Sequence, residues 1–241
     1  MPFHTDFRRI VLTLSDALDL VGVDDVGHGK RVGIMAAECA AVMGLEEDER
    51  SFLFDLGLLH DIGVSSTRVH QHLVTEFDWP EAWRHCRTGH DLLADFGPLS
   101  VMAEPILHHH TPWNRLRDED VPSELALRAN LILLTDRVDA MAASFHADKT
   151  VLAHAERIRD QIQSHSETYF APELVAHFLE ASRTEAFWLR LESPPRRRTC
   201  RPNSRNPSAN SWISVTCASS RSSSRASSMP KAPSRPNIRW A

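Results

Sequence analysis

Through residues 1–192 the apolar side chains return at every third or fourth position, and runs of Val, Ile and Thr that alternate with polar residues are absent. That period belongs to helices that each turn one stripe toward a shared core, not to strands. The pattern predicts helices over Phe7–Leu20, His28–Met43, Asp48–Leu59, Trp83–Phe96, Leu99–His109, Glu124–Ala143, Thr150–His165 and Pro172–Leu191. The breaks carry suitable residues: Gly44 after the second helix, Gly63 after the third, and Gly97-Pro98 between the fourth and fifth. The expected fold class is an all-α bundle without internal repeats.

After Glu192 the composition changes abruptly. Residues 193–241 hold 13 Ser, nine Arg, seven Pro and one Lys, with no Asp or Glu. Too few apolar residues remain to bury, so this basic tail is expected to be disordered. Two origins fit it: an evolved segment that binds RNA or anionic surfaces, or translation continuing in a shifted reading frame. The tail takes ten of the chain's 27 Lys and Arg, leaving 17 against 32 Asp and Glu in residues 1–192. A main domain near −15 repels nucleic acid and suits multivalent cations. Four scattered cysteines (Cys39, Cys86, Cys200, Cys217) give neither a zinc knuckle nor a disulfide framework. No apolar run reaches a membrane span and the N-terminus lacks a signal-peptide core, so a reducing cytoplasm is the expected setting. Oligomeric state is not written in the sequence; a homodimer is compatible with it.

Fourteen histidines accompany a single tyrosine, all of them before residue 193. His60-Asp61 ends the third helix at the point where Gly63 breaks it. Neighbouring side chains on a helix diverge by about 100°, yet both can reach one centre lying beyond the helix end. A divalent metal takes imidazole and carboxylate together, and a carboxylate can bridge two ions. The competing reading makes His60 a helix cap and Asp61 a solvated turn residue. His28 opens the second helix, and His90 follows Thr88-Gly89. His108-His109-His110 lies just before Thr111-Pro112, where the helix must fray because a residue preceding proline leaves α geometry. Asp136 sits behind the apolar run Leu131–Leu134, with Asp139 three residues on and on the same face. A bare carboxylate there is costly without a cation or donors. Five imidazoles (His28, His60, His90, His109, His110) and two carboxylates (Asp61, Asp136) at helix ends predict a two-metal site.

In this order the motifs resemble the HD phosphohydrolase superfamily, and within it the HD-GYP branch. His28-Gly29-Lys30-Arg31-Val32 resembles the opening His-x-x-Arg-Val, and Leu58 to Gly63 the HD motif. His109-His110-Thr111-Pro112-Trp113 resembles the start of His-His-Glu-Arg-Trp. Thr135 to Ala140 resembles the Asp-x-x-Asp-Ala helix, and Phe170 to Val175 the closing Phe-Asp-Pro-Glu-Leu-Val. The resemblance spans roughly residues 16–180 and implies an HD-domain-like helical bundle. It also has gaps. Val64 stands where the branch places a lysine, and Thr111 where it places a glutamate. The Gly-Tyr-Pro signature is missing, and the arginine after the Asp-Ala helix is replaced near Ser144-Phe145-His146.

The resemblance implies hydrolysis of cyclic di-GMP or a related nucleotide phosphodiester by a water activated between two metal ions. Asp61 would bridge the ions; His60 and Asp136, with His28, would hold one, and His90, His109 and His110 the other. Mixed His and carboxylate ligation suits iron or manganese, with zinc, magnesium or nickel as further candidates. Asp24 is a candidate ligand for a third ion. Lys30, Arg31 and Arg68 are candidate phosphate contacts in place of the missing lysine. Two alternatives stand beside this reading: an HD-family phosphohydrolase acting on another phosphate ester, and a signalling module in which any metal is structural.

Overall fold

A computed structural model describes residues 3–19, 27–64, 66, 80–192 and 212–215. Strand β1 (Phe3–Asp6) leads into α1 (Phe7–Leu18), α2 (His28–Val42) and α3 (Glu47–Leu59). Next come α4 (Trp83–Ala94), a 3₁₀ turn at Ser100–Met102, and the short α5 (Ala103–His108) and α6 (Trp113–Asp118). The long α7 (Ser123–His146) is followed by a 3₁₀ turn at Val151–His154, then α8 (Ala155–Ser164), α9 (Pro172–Ala181) and α10 (Glu185–Glu192). Strand β2 (Trp212–Val215) pairs antiparallel with β1, Phe3 opposite Val215. The fold class is all-α, as the spacing predicts. In the tail, residues 212–215 form a strand where composition predicts disorder; the rest of it lies outside the described residues.

Three of the expected helices divide in the structure. Leu99–His109 divides into a 3₁₀ turn and α5, and Thr150–His165 divides in the same way. The expected helix Pro172–Leu191 breaks at Ser182-Arg183-Thr184, where the Trp188 indole donates to the Ser182 carbonyl and the Arg159 guanidinium to the Leu179 carbonyl and Ser182 hydroxyl. These side chains meet the carbonyls that α9 leaves without partners at its end. The short α6 has too few apolar residues for a periodic signal.

The core runs along α7, which is buried nearly all round from Ala129 to Asp139. Asn130 fixes the middle of this helix to the segment before α9, donating to the Tyr169 carbonyl and accepting from the Ala171 amide, both at 2.8 Å. Against α7 lie α2 and α3, whose backbones nearly touch. A Cβ on Gly57 would come within 2.5 Å of the Gly33 Cα, and one on Gly33 within 2.6 Å of the Phe54 carbonyl oxygen. Only glycine permits that approach, and it brings the start of α2 beside the end of α3. Among the described residues no helix is long and apolar enough to cross a membrane.

Asp55 is the one misfit on α3. Burial pushes its carboxyl up to about 6, and the Arg8 guanidinium of α1, 3.8 Å away, offsets this only in part. Because the folded value exceeds the unfolded one, stability is lost as pH rises from roughly 4 to 6, by at most ~3 kcal/mol, and stays lost above that window. Asp55→Asn is therefore expected to be more stable than the wild type at pH 7.5, by about 1–3 kcal/mol, with that advantage shrinking at pH 4.5. Urea unfolding at both pH values checks this. A variant less stable than wild type at pH 7.5 would refute it.

Candidate metal centre

Helix α3 ends at His60 because the chain tightens there: the Ile62 amide bonds the Leu59 carbonyl and the Val64 amide the Asp61 carbonyl. His60 stays with the helix, its Nδ1 donating to the Gly57 carbonyl at 2.8 Å. His109 does the same at the end of α5, Nδ1 donating to the Ile106 carbonyl at 2.6 Å. His28, first residue of α2, points Nδ1 at Asp139 at 2.7 Å. Each ring thus places its proton behind it and turns Nε2 inward as an electron-pair donor. The turn after Asp61 then packs on α4 so closely that a Cβ on Gly63 would lie 1.9 Å from the His85 carbonyl oxygen. That contact sets His85 beside Asp61.

Two clusters result. His28, His60 and Asp136 offer donor atoms within 4.8 Å of one another, and so do Asp61, His85, His109 and His110. Asp61 joins them. Its Oδ2 lies 3.5 Å from His60 Nε2 and 3.7 Å from His28 Nε2, while its Oδ1 lies 3.4 Å from His85 Nε2 and 4.0 Å from His109 Nε2. Asp136 turns Oδ1 to His28 at 3.3 Å and gives Oδ2 to the Arg137 guanidinium at 2.8 Å.

The donor set fits divalent cations. His28 Nε2 and His60 Nε2 stand 3.2 Å apart, although both rings have committed their Nδ1 protons elsewhere. Two lone pairs facing each other need a proton or a cation between them. The separation is close to that of two donors sharing an ion at bond lengths of ~2.0–2.1 Å. His85 Nε2 and His109 Nε2 face each other similarly at 3.3 Å. Asp61 Oδ1 and His85 Nδ1 are buried and make no hydrogen bond. A buried carboxylate oxygen left without a donor is costly, and a cation removes the cost.

The clusters differ in charge state. Burial opposes protonation of His28 and His60, but Asp136 and Asp139 hold His28 well above its ordinary value, and Asp61 and Asp136 raise His60. In the second cluster burial wins: His85 is lowered, His110 well lowered, and His109 drops to about 3 beside His85 and His60. Burial would raise both ligand carboxylates. The surrounding imidazoles nevertheless hold Asp61 at about 2, and Arg137 with His28 and His60 holds Asp136 well below the carboxylate range.

Six of the seven ligands expected from the sequence are thus brought together. His90 is not. It points out of the bundle to Asp91 and Glu104, and His85 takes the place expected for it. The two are five residues apart on α4, about 140° around the helix. The buried stripe of α4 is His85, Cys86, Gly89 and Leu93, so reading that stripe rather than the Gly-His motif would have found the residue that joins the cluster. The expected phosphate contacts are also redistributed. Lys30 is held by Asp16 and Asp19 at 2.8 Å each, and Arg31 is buried against Asp139. Arg68 and Asp24 lie outside the described residues. Val64 is buried.

Residues 26–141 match the HD domain family. The chain is 38% identical over 147 residues to the 3'3'-cGAMP-specific phosphodiesterase 1 of Vibrio cholerae, a match covering 61% of this chain and 34% of that protein. It therefore spans about a third of the curated relative. A solved structure of a cyclic GMP-AMP-specific phosphodiesterase of V. cholerae shares the fold with a TM-score of 0.53 at 19% identity, over 80% of this chain and 55% of that one.

His85→Ala is expected to lose one equivalent of bound manganese, and His90→Ala to keep the wild-type amount, as read by equilibrium dialysis with elemental analysis. Equal losses in the two variants would contradict the assignment. The pH dependence should differ between clusters. His28 and His60 hold protons above the ordinary histidine range, so an ion entering the first cluster displaces protons, and its affinity climbs as pH is raised above ~6.5. The imidazoles of the second cluster are already neutral there, and its affinity stays flat. By the same sign, the metal-free fold loses the contribution of protonated His28 and His60 as pH rises through their raised values. Calorimetric manganese titrations at pH 6.5 and 8 in two buffers would show proton release for one class of site; release by neither would count against this account.

Proposed function

Because its HD domain makes this chain a member of the HD superfamily, we propose that it is a metal-dependent phosphodiesterase that opens a cyclic dinucleotide. The observation that carries this reading is Asp61, a half-buried carboxylate with one oxygen toward each of two His-rich clusters. His28, His60 and Asp136 would hold one divalent ion, and His85, His109 and His110 the other, with Asp61 between them. Iron and manganese suit this mixed set, with zinc, magnesium or nickel as further candidates. Such ions supply an acidified water and neutralise charge on the phosphoryl oxygens.

The chain's own residues do the rest. His60 and His109, tied by Nδ1 to carbonyls in their own helices, present Nε2 without rearrangement. Arg137 occupies Asp136 Oδ2, which leaves Oδ1 as the oxygen facing His28 and His60. Burial of His28, His60, His85, His109 and Asp136 keeps most of the clusters from bulk solvent, which strengthens the charge interactions there.

Two substrates rank first. The relative at 38% identity is named for 3'3'-cGAMP, and the HD-GYP-like motifs favour cyclic di-GMP. A different phosphate ester is the second reading. It is favoured by Val64, which buries an apolar side chain where the resemblance calls for a phosphate-binding lysine. The full chain, supplied with manganese or with iron under reducing conditions, should release the linear dinucleotide from 3'3'-cGAMP or cyclic di-GMP. Asp61→Ala should lower that rate by at least ~100-fold, more than loss of a ligand's supporting contact costs, and should bind less than the full complement of metal. Wild-type protein that binds two ions yet opens neither dinucleotide would reject the cyclic-dinucleotide reading in favour of another ester.

A further inference from the structure

We propose that Asp139 is a positioning residue: clamped by Arg31 and His146, it keeps a proton on His28 Nδ1 and so fixes Nε2 as the donor atom facing His60 and Asp136. The proposal rests on the metal reading of those residues for its consequence, but its geometry stands apart from it.

Asp139 belongs to neither cluster, yet it is fully buried, one turn beyond Asp136 on α7. Four donors converge on its two oxygens. His28 Nδ1 at 2.7 Å and an Arg31 Nη2 at 2.9 Å share Oδ2; Arg31 Nε at 2.7 Å and His146 Nε2 at 3.3 Å share Oδ1. A carboxylate offers about four lone-pair sites, so Asp139 is saturated and has no reason to turn. The planar fork of Arg31 fixes its plane as a lysine could not. His28 and Arg31 are three residues apart on α2, and Asp136 and Asp139 three apart on α7, so each pair shares a helix face. The His28 ring is thereby caught between two carboxylates. Asp139, occupied by a guanidinium and able only to accept, takes the Nδ1 proton; Nε2, 3.3 Å from Asp136 Oδ1, is the nitrogen left to exchange its proton for an ion. His146 stands in the stretch where the resemblance calls for an arginine, and here it closes the far side of Asp139.

A buried Arg31–Asp139 pair could also serve the fold alone. The two roles separate in the double variant Asp139→Leu with Arg31→Met. Replacing a buried ion pair by apolar residues of similar volume commonly leaves a fold intact, whereas His28 loses its acceptor. Full-length wild type and variant, labelled with ¹⁵N in histidine, would be compared by long-range ¹H–¹⁵N correlation of the rings, by urea unfolding and by manganese titration. The expected wild-type spectrum shows His28 Nδ1 protonated and slow to exchange. In the variant that proton exchanges and both tautomers appear. Manganese affinity falls 10–100-fold at one site, the range for loss of a ligand's supporting contact, while the other site and the unfolding curve hold. An unprotonated His28 Nδ1 in the wild type overturns the proposal without any variant. So does a folded variant with unchanged affinity at both sites and one His28 tautomer. Wild-type protein that takes up no manganese would reject the metal reading, and the His28 spectrum alone would then decide the role of Asp139.

Discussion

Two imidazole nitrogens 3.2 Å apart in the middle of a helical bundle, His28 Nε2 and His60 Nε2, set the problem that the rest of this structure answers. Both rings have spent their Nδ1 protons on acceptors behind them, so what faces inward is electron density. Asp136, Asp61 and a second pair of facing nitrogens, on His85 and His109, add to it. Protein interiors avoid such accumulations, because uncompensated polar atoms cost free energy in proportion to their burial. The arrangement is stable only with positive charge at its centre. Protons can supply part of it, and Asp136, Asp139 and Asp61 accordingly raise the proton affinity of His28 and His60.

Holding those groups together takes unusually close backbone packing. The Gly33–Gly57 contact lets α2 and α3 cross at a distance no side chain would allow, and the Gly63 turn rests on the backbone of α4. Neither contact touches a ligand atom. They act by placing helix ends: the first residue of α2, the last turn of α3 and the first turn of α4 meet at one point. Helix ends are where the chain can bring two adjacent residues, His60 and Asp61, toward a common centre. The ring of His60 meanwhile satisfies a carbonyl the helix would otherwise leave exposed. Support and ligation use the same side chain.

This division explains what could be read from the sequence. Helix periods and their Gly and Pro breaks reflect burial of one face, which a linear pattern records directly, so the all-α fold and most helix limits are legible. Two candidate ligands at helix ends, His60 and His109, were legible because each terminates an apolar run; Asp136, inside α7, was legible because it interrupts one. His85 was not, because it sits within the buried stripe of α4 with no break to mark it, while His90 carries a more conspicuous motif on the solvent side. The roles of Lys30 and Arg31 were hidden for another reason. A cation in sequence looks available for a phosphate, but its partners here come from residues 11 and more than 100 positions away. Pairing across such distances has no local signature.

The fate of those cations shapes how a phosphodiester can be held. Lys30 closes on Asp16 and Asp19, Arg31 on Asp139, and Arg137 on Asp136. Each neutralises a carboxylate of the chain, which leaves none of the three uncompensated for a substrate. The domain as a whole is acidic, so its long-range field repels a dianionic dinucleotide and gives no help at encounter. On the reading proposed above, attraction among the described residues would arise at short range, from ions held between the two clusters. In a solvent-poor site that interaction is far stronger than at the surface. The same ions that would activate water would thus also provide the grip on the phosphate, and the fold's investment in Asp61, shared between both clusters, serves binding as much as chemistry.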